Sequence, residues 1–211
     1  MTNAQAEHAP GLANLDQVEL TGPYRALYDH AVETAGGQGG WLSRKKFEAR
    51  KLLALAQIAG SGRMDVRILD LVDDLRAVIG LTVPVPLTPD ADGALRVANG
   101  AVLGVAYPQV ALSSPIPGYA PVTLLSPEHG AWHPNIGTAR GQRLCLGTSL
   151  PAGIPVSEIV LLSYGLLSMQ SVMLDPDDSA GVMNAEAASF WQAHLGEIPL
   201  SDEPFLRPVG E

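Results

Sequence analysis

The chain has a single cysteine, Cys145, so it can form no internal disulfide. The cysteine pairs of a zinc site are missing, and the histidines at 8, 30, 129, 133 and 194 show no ligand spacing such as H-E-x-x-H. The start, "MTNAQAEHAPGLANLDQ", lacks the positive charge and apolar run of a secretory signal, which predicts a reducing, cytoplasmic setting. No apolar tract suits a bilayer: "EIVLLSYGLLSMQSVML", 158–174, is interrupted by Ser163, Tyr164, Gly165, Ser168, Gln170 and Ser171. "GGQGG" lacks the Lys-Ser/Thr of a phosphate loop. The sequence therefore predicts no metal, no nucleotide cofactor and no membrane partner, and it contains no internal repeat.

Positive charge is scarce as well. Against 22 acidic residues stand 13 basic ones, and a net charge of −9 repels a phosphate backbone, so nucleic acid is not an expected partner. Five basic residues nevertheless cluster at Arg44, Lys45, Lys46, Arg50 and Lys51. They form either a solvated helix face or a docking face for an acidic protein.

With 211 residues and 46% hydrophobic content, the chain can bury one core with appendages. Thr21 to Gly36 reads as a helix with Pro23 early in it, and "GGQGGW" reads as a flexible link. Ser43 is a candidate cap for a second helix whose Phe47, Leu52, Leu55, Ala56 and Ile58 form a buried stripe, with the basic cluster mostly outside it. Asp65 is a candidate cap for a third, since Ile68, Leu71, Val72, Leu75, Val78 and Ile79 recur at helical spacing up to Gly80. Beyond it, "LTVPVPLT", "ALRV", "AVLGVAYP", "QVALS" and "PVTLLS" read as short strands of an antiparallel meander. Helical spacing returns in Ile159, Leu162, Leu166, Met169 and Met173, ended by "DPDD". A last helix opens at Asn184, buries Phe190 and Trp191 and stops at Gly196. This order predicts an α+β architecture, with an N-terminal extension over 1–41, a main domain over 42–198 and an irregular tail over 199–211.

Chemistry concentrates in "WHPNIGTARGQRLCLG", 132–147. Cys145 is either one more small apolar core residue or a reactive thiol entered from the loop "GTARGQ", where Arg140 and Arg143 would favour the thiolate. His133 can act as the base of a Cys-His hydrolase, as can His129, or can serve as a structural hydrogen-bonding group held by Pro134. Asn135 is either a turn-capping amide or an oxyanion donor.

"HPNI", then Gly141, then "LCLG" resembles the active-site segment of ubiquitin-conjugating enzymes. Downstream, "PVSEIVLLSYGLLSMQSVMLDPDD" and "VMNAEAASFWQAH" are similar to that family's long helix, Asp-Pro turn and following helix. The resemblance runs from about Pro121 to His194 and points to a divergent bacterial E2-like branch. It implies a UBC-like fold in which Cys145 accepts a ubiquitin-like protein from an E1-like activating enzyme as a thioester and passes it to a lysine of a protein substrate. Asn135 would support transfer and the oxyanion, while His133 and Pro134 would hold the loop. Asp178, in preference to Asp177, would position the incoming lysine. The helix from Ser43 to Gly60 would be the one that meets the activating enzyme, with the Asp65 to Ile79 segment competing for that place. The resemblance also suggests an anti-phage defence setting. The stretch from His133 to Cys145 is longer than is usual in the family.

Overall fold

The computed structural model describes residues 12–60, 62–127, 130–139, 141–178 and 181–206. A 3-10 turn, Leu12–Gln17, precedes helices α1 (Gly22–Glu33) and α2 (Gly39–Ala59). Strands β1 (Met64–Asp70), β2 (Leu75–Leu81), β3 (Val85–Leu87), β4 (Arg96–Ala98), β5 (Ala101–Tyr107), β6 (Ile116–Pro117), β7 (Val122–Ser126) and β8 (Ser149–Leu150) follow. Helices α3 (Val156–Leu167) and α4 (Ala185–Ala193) close the order. The architecture is mixed α+β, built on a four-stranded antiparallel sheet in the order β1-β2-β5-β7.

α2 begins at Gly39, ahead of the expected cap Ser43, whose hydroxyl instead bonds back to the Gly39 carbonyl. Gly39 opens the helix at φ 64°, a state that favours glycine, so the two glycines cost less than the roughly 1 kcal/mol each of a helix interior. Extending the helix brings Trp41 into the core, where its indole N–H donates to Asp73 O at 2.8 Å. Burying so large an aromatic is worth roughly 2–3 kcal/mol, enough to offset them. Further along, Leu52, Leu53, Ala54, Leu55 and Ala56 are all fully buried, so this half of α2 is covered on every side, not along one stripe. Phe47 and Ile58, expected in that stripe, are exposed.

The predicted helix over 65–79 is a β-hairpin. Met64 and Val66 are buried while Asp65 and Arg67 are exposed, and Leu75, Ala77, Ile79 and Leu81 alternate in the same way, a period of two. The turn between them is set by the Asp70 carboxylate, which accepts the Val72 N–H at 2.6 Å. Helical spacing arose because two alternating strands were read through that turn. The pairing Val66↔Ile79↔Leu103↔Leu124 runs one buried row across the sheet. α2 is therefore the helix that leads directly into the strands.

"QVALS" is a 3-10 turn, Gln109–Leu112, not a strand. α3 stops at Leu167, short of the predicted "DPDD". Met169 lies at φ 61°, and the Met169 and Gln170 N–H groups close back on Leu166 O and Gly165 O, each at 2.9 Å. α4 opens where expected: the Asn184 side chain accepts the Ala187 N–H at 3.1 Å. It ends at Ala193, before a 3-10 turn at Leu195–Glu197.

Leu15, Leu20 and Ala31 share one core with α2, the sheet, α3 and Phe205. The boundary expected at residue 41 thus falls inside α2, and residues 199–206, though without helix or strand, dock through Phe205 edge-on against Tyr164. A smaller cluster of Met169, Ala187 and Trp191 packs against Trp132 and Phe190.

The basic cluster is not a free surface patch. Lys45 is fully buried, its ammonium donating to the carbonyls of Gly36, Leu71, Val72 and Asp73 at 2.5–3.2 Å. Arg44 pairs with buried Glu48 at 2.8 Å, Arg50 donates to Leu15 O and Val18 O, and Lys51 pairs with Asp16 at 3.2 Å. Only Lys46 has no side-chain partner among the described residues. The expectation that the cluster lies mostly outside the buried side of the helix is corrected: the N-terminal segment and the hairpin turn supply carbonyls that these cations satisfy.

Candidate active site

β7 leads into the loop that carries His133, Pro134 and Asn135, and the chain then turns back to Cys145. Ile136 pairs with Leu144, and the Gly137 N–H bonds to Arg143 O at 2.9 Å. The length of the stretch therefore does not separate its two ends, and Gln142 on its return side is buried, with its carbonyl accepting the Leu124 N–H at 2.6 Å. The Cys145 N–H donates to Asn135 O at 2.8 Å.

His133 is fully buried. Its Nδ1 accepts the Asn135 N–H at 3.0 Å, which leaves the proton on Nε2 to donate to Leu166 O at 2.8 Å. Burial pushes its pKa from 6.5 down to about 4, against a smaller opposing effect of the Leu166 carbonyl. Both ring nitrogens are committed to backbone partners, so His133 can take a proton only by giving up one of these bonds. Of the two residues considered as hydrolase bases, this leaves His129, which lies outside the described residues.

Asn135 works mostly with its amide. Its Oδ1 accepts the Met173 N–H at 3.0 Å, and Nδ2 donates to Gly181 O at 2.8 Å. The second Nδ2 contact, to Met173 O, stretches to 3.5 Å and is the one that an oxyanion in the cavity could capture. Pro134 O accepts the N–H groups of Met183 and Asn184 at 2.7 and 3.0 Å, which ties the start of α4 to the same loop.

Cys145 is 5% exposed and lines a cavity of about 160 Å³ with Asn135, Leu166, Ser171, Met173 and Gly181 among its walls. The cavity rim is apolar: Leu162 and Met173, at 43% and 45% exposure, stand beside it. The thiol reaches Gly147 O at 3.5 Å, a weak contact. Gly147 has φ 116°, a backbone state that favours glycine, and it packs on Gly118 so closely that a Cβ at 118 would fall on the Gly147 carbonyl. Arg143, expected to favour the thiolate, has its guanidinium 6.0 Å over the exposed Tyr119 ring; Arg140 lies outside the described residues.

Asp177 and Asp178 sit on the acidic turn, and neither lines the cavity. Asp178 contributes its backbone: its carbonyl receives the Gly181 and Val182 N–H groups, shaping the segment that Asn135 grips. Sequence reasoning missed Gly118, Leu162 and Ser171 as parts of this site. None had a local signal: Gly118 lies far from Cys145 in sequence, Leu162 read as a member of an apolar stripe, and Ser171 read only as an interruption of it.

Among the described residues no group of three or more acidic, histidine or cysteine side chains could hold a metal, and no helix is long and apolar enough to cross a membrane. No protein-family model, curated protein or solved structure matches the chain.

Proposed function

We propose that this protein is an E2-like conjugating enzyme with a UBC-like fold, carrying a ubiquitin-like protein as a thioester on Cys145. The observation that carries the reading is the backbone bond from Cys145 N–H to Asn135 O, which joins the two halves of the sequence motif at one cavity. The element order supports it: a helix, a four-stranded meander, the His-Pro-Asn loop, the cysteine, then two helices. Cys145 thiolate attacks the thioester carbonyl presented by an E1-like activating enzyme. A new C–S bond forms, the old one breaks, and the partner's thiolate leaves. A lysine amine of a protein substrate then attacks, loses its proton, and Cys145 departs as thiolate. Such a reaction needs no imidazole base, because a thioester is already activated toward amines. That suits a histidine committed to structure.

In this reading Asn135 holds the cavity wall and offers its weakly bonded N–H to the oxyanion, while Asp178 shapes the acidic turn near the lysine's approach. The docking face for the activating enzyme reduces to Lys46 and the half-exposed parts of Arg44, Arg50 and Lys51, since the rest of the basic cluster is internal. An anti-phage defence role is the setting we propose for it.

The test is incubation with an activating enzyme, its ubiquitin-like protein and ATP. The expected product is a reductant-sensitive adduct, absent in Cys145→Ala and reductant-resistant in Cys145→Ser. Failure to form it with any such pair encoded beside this protein overturns the reading. The near-complete burial of Cys145 favours one alternative, a binding module that keeps the fold without charging, and the same experiment separates the two.

A further inference from the structure

We propose that Glu48, together with Arg44, is a positioning pair for the Cys145 cavity: the α2 carboxylate serves as the N-terminal cap of α3 and thereby sets how α3 lies over the cysteine. α3 has no cap of its own, because Pro155 occupies the capping position and offers no side-chain acceptor. Glu48, fully buried and 108 positions away in sequence, fills that role: its Oε2 accepts the Val156 N–H at 2.8 Å. Its other oxygen lies 2.8 Å from Arg44 Nε, and Arg44 Nη2 donates to Gly153 O at 2.9 Å. The Tyr107 hydroxyl donates to Ile154 O at 2.9 Å. The lead-in to α3 is therefore held at Gly153, Ile154 and Val156 by side chains of α2 and β5.

The opposite end of α3 meets the site. Leu166 O accepts the hydrogen bond of His133 Nε2–H, and Leu162 and Leu166 line the cavity with Cys145. Twelve helical residues make a stiff rod of about 18 Å, so its anchored start and its working end move together. Stability alone does not call for this pair. A buried carboxylate with its cation is often no more stabilising than apolar residues of similar size, and burial raises the Glu48 carboxyl above its usual range despite Arg44 and Val156. What an apolar pair cannot supply is a directed bond to the first N–H of α3, at the positive end of its dipole.

The experiment measures the rate at which iodoacetamide alkylates Cys145 in the full-length protein under native conditions. Three variants are compared: Glu48→Gln, Val156→Pro, and the double variant Arg44→Met/Glu48→Leu. Proline is tolerated at the first helical position, and Pro155, at φ −65° and ψ 143°, already has the backbone that a residue before proline requires. Val156→Pro thus deletes the bond from the helix side and leaves the ion pair in place. The expected result is faster alkylation, by about threefold or more in Val156→Pro and the double variant and less in Glu48→Gln, at denaturant concentrations where all stay folded. Rates within the scatter of the parent in Val156→Pro and Glu48→Gln overturn the proposal. So does an increase that merely follows the unfolded fraction across a denaturant series, which marks a purely structural pair. The proposal rests on Cys145 being the working group of the proposed function, yet alkylation needs no partner protein. A failure to charge Cys145 and a failure of this positioning role are therefore read separately.

Discussion

The buried polar network around α2 is charged, whereas the one around Cys145 is neutral. In the first, the Lys45 ammonium meets four backbone carbonyls and Glu48 meets Arg44 and the start of α3. In the second, a neutral imidazole and a carboxamide stitch the loop to Leu166, Met173 and Gly181. The charged network lies where the chain must be tied across long sequence distances, and its Arg44 Nε and Glu48 Oε1 meet as an ion pair at 2.8 Å without hydrogen-bond geometry. The neutral one borders a thiol, and a permanent charge there would bias the thiol's ionisation in either direction. Burial of His133 removes that charge, and the loop keeps its geometry by hydrogen bonds alone.

Lys45→Met breaks the charged network most severely. It keeps the stem but removes the ammonium from four carbonyls, of which Leu71 O and Asp73 O retain the Gly36 and Trp41 N–H groups while Gly36 O and Val72 O lose theirs, so a loss of roughly 2–4 kcal/mol in urea unfolding is expected. A loss below about 1 kcal/mol would mean that water replaces the ammonium, and the contrast between the networks would fail.

The neutral network responds to pH. His133 has a folded pKa near 4 against 6.5 unfolded, so below 6.5 the unfolded state binds more protons and stability falls with falling pH. The loss between pH 6.5 and 4 is on the order of 3 kcal/mol, and His133→Gln should flatten that part of the stability profile. Glu48 has the opposite sign: its raised carboxyl contributes stability that is present at low pH and lost as pH climbs through its folded pKa. A stability profile that His133→Gln leaves unchanged would refute the neutral imidazole.

Asn135→Ala removes the bonds to Met173 and Gly181 and should cost about 1–3 kcal/mol. Because most of its amide is structural, charging and discharge of Cys145 are expected to slow together. A defect confined to discharge would shift the emphasis to the one loosely held N–H. The gentlest probe is Leu162→Ala. At an exposed rim it should change stability by less than about 0.5 kcal/mol, while a drop in transfer rate would mark that rim as a contact for the incoming protein.

Part of the candidate site was legible because His133, Pro134, Asn135 and Cys145 lie within one short stretch, which the Ile136–Leu144 pairing then closes. The Asn184 cap and the β5 and β7 strands were legible for a similar reason, since capping and alternation are local signals. Residues 65–79 were misread because Leu71 and Val72 in the turn join the apolar residues of both strands into an imitation of helical spacing, and only the pairing of β1, β2 and β5 reveals the true period. The basic cluster was misread because charge predicts exposure only where no carbonyls wait to receive it. Nothing near position 45 in sequence announces Leu71 or Asp73.

The amino-acid order by itself determined the single thiol, the stretch that carries it, the α+β class and the start of α4, whose cap is the side chain of Asn184 itself. Tertiary structure alone decided that Lys45 and Glu48 are interior, that both ring nitrogens of His133 are bonded to the backbone, and that α3 takes its cap from another helix. The physical reason is that protonation state and hydrogen-bond commitment depend on burial and on partners brought close by folding, which residue type and spacing do not contain.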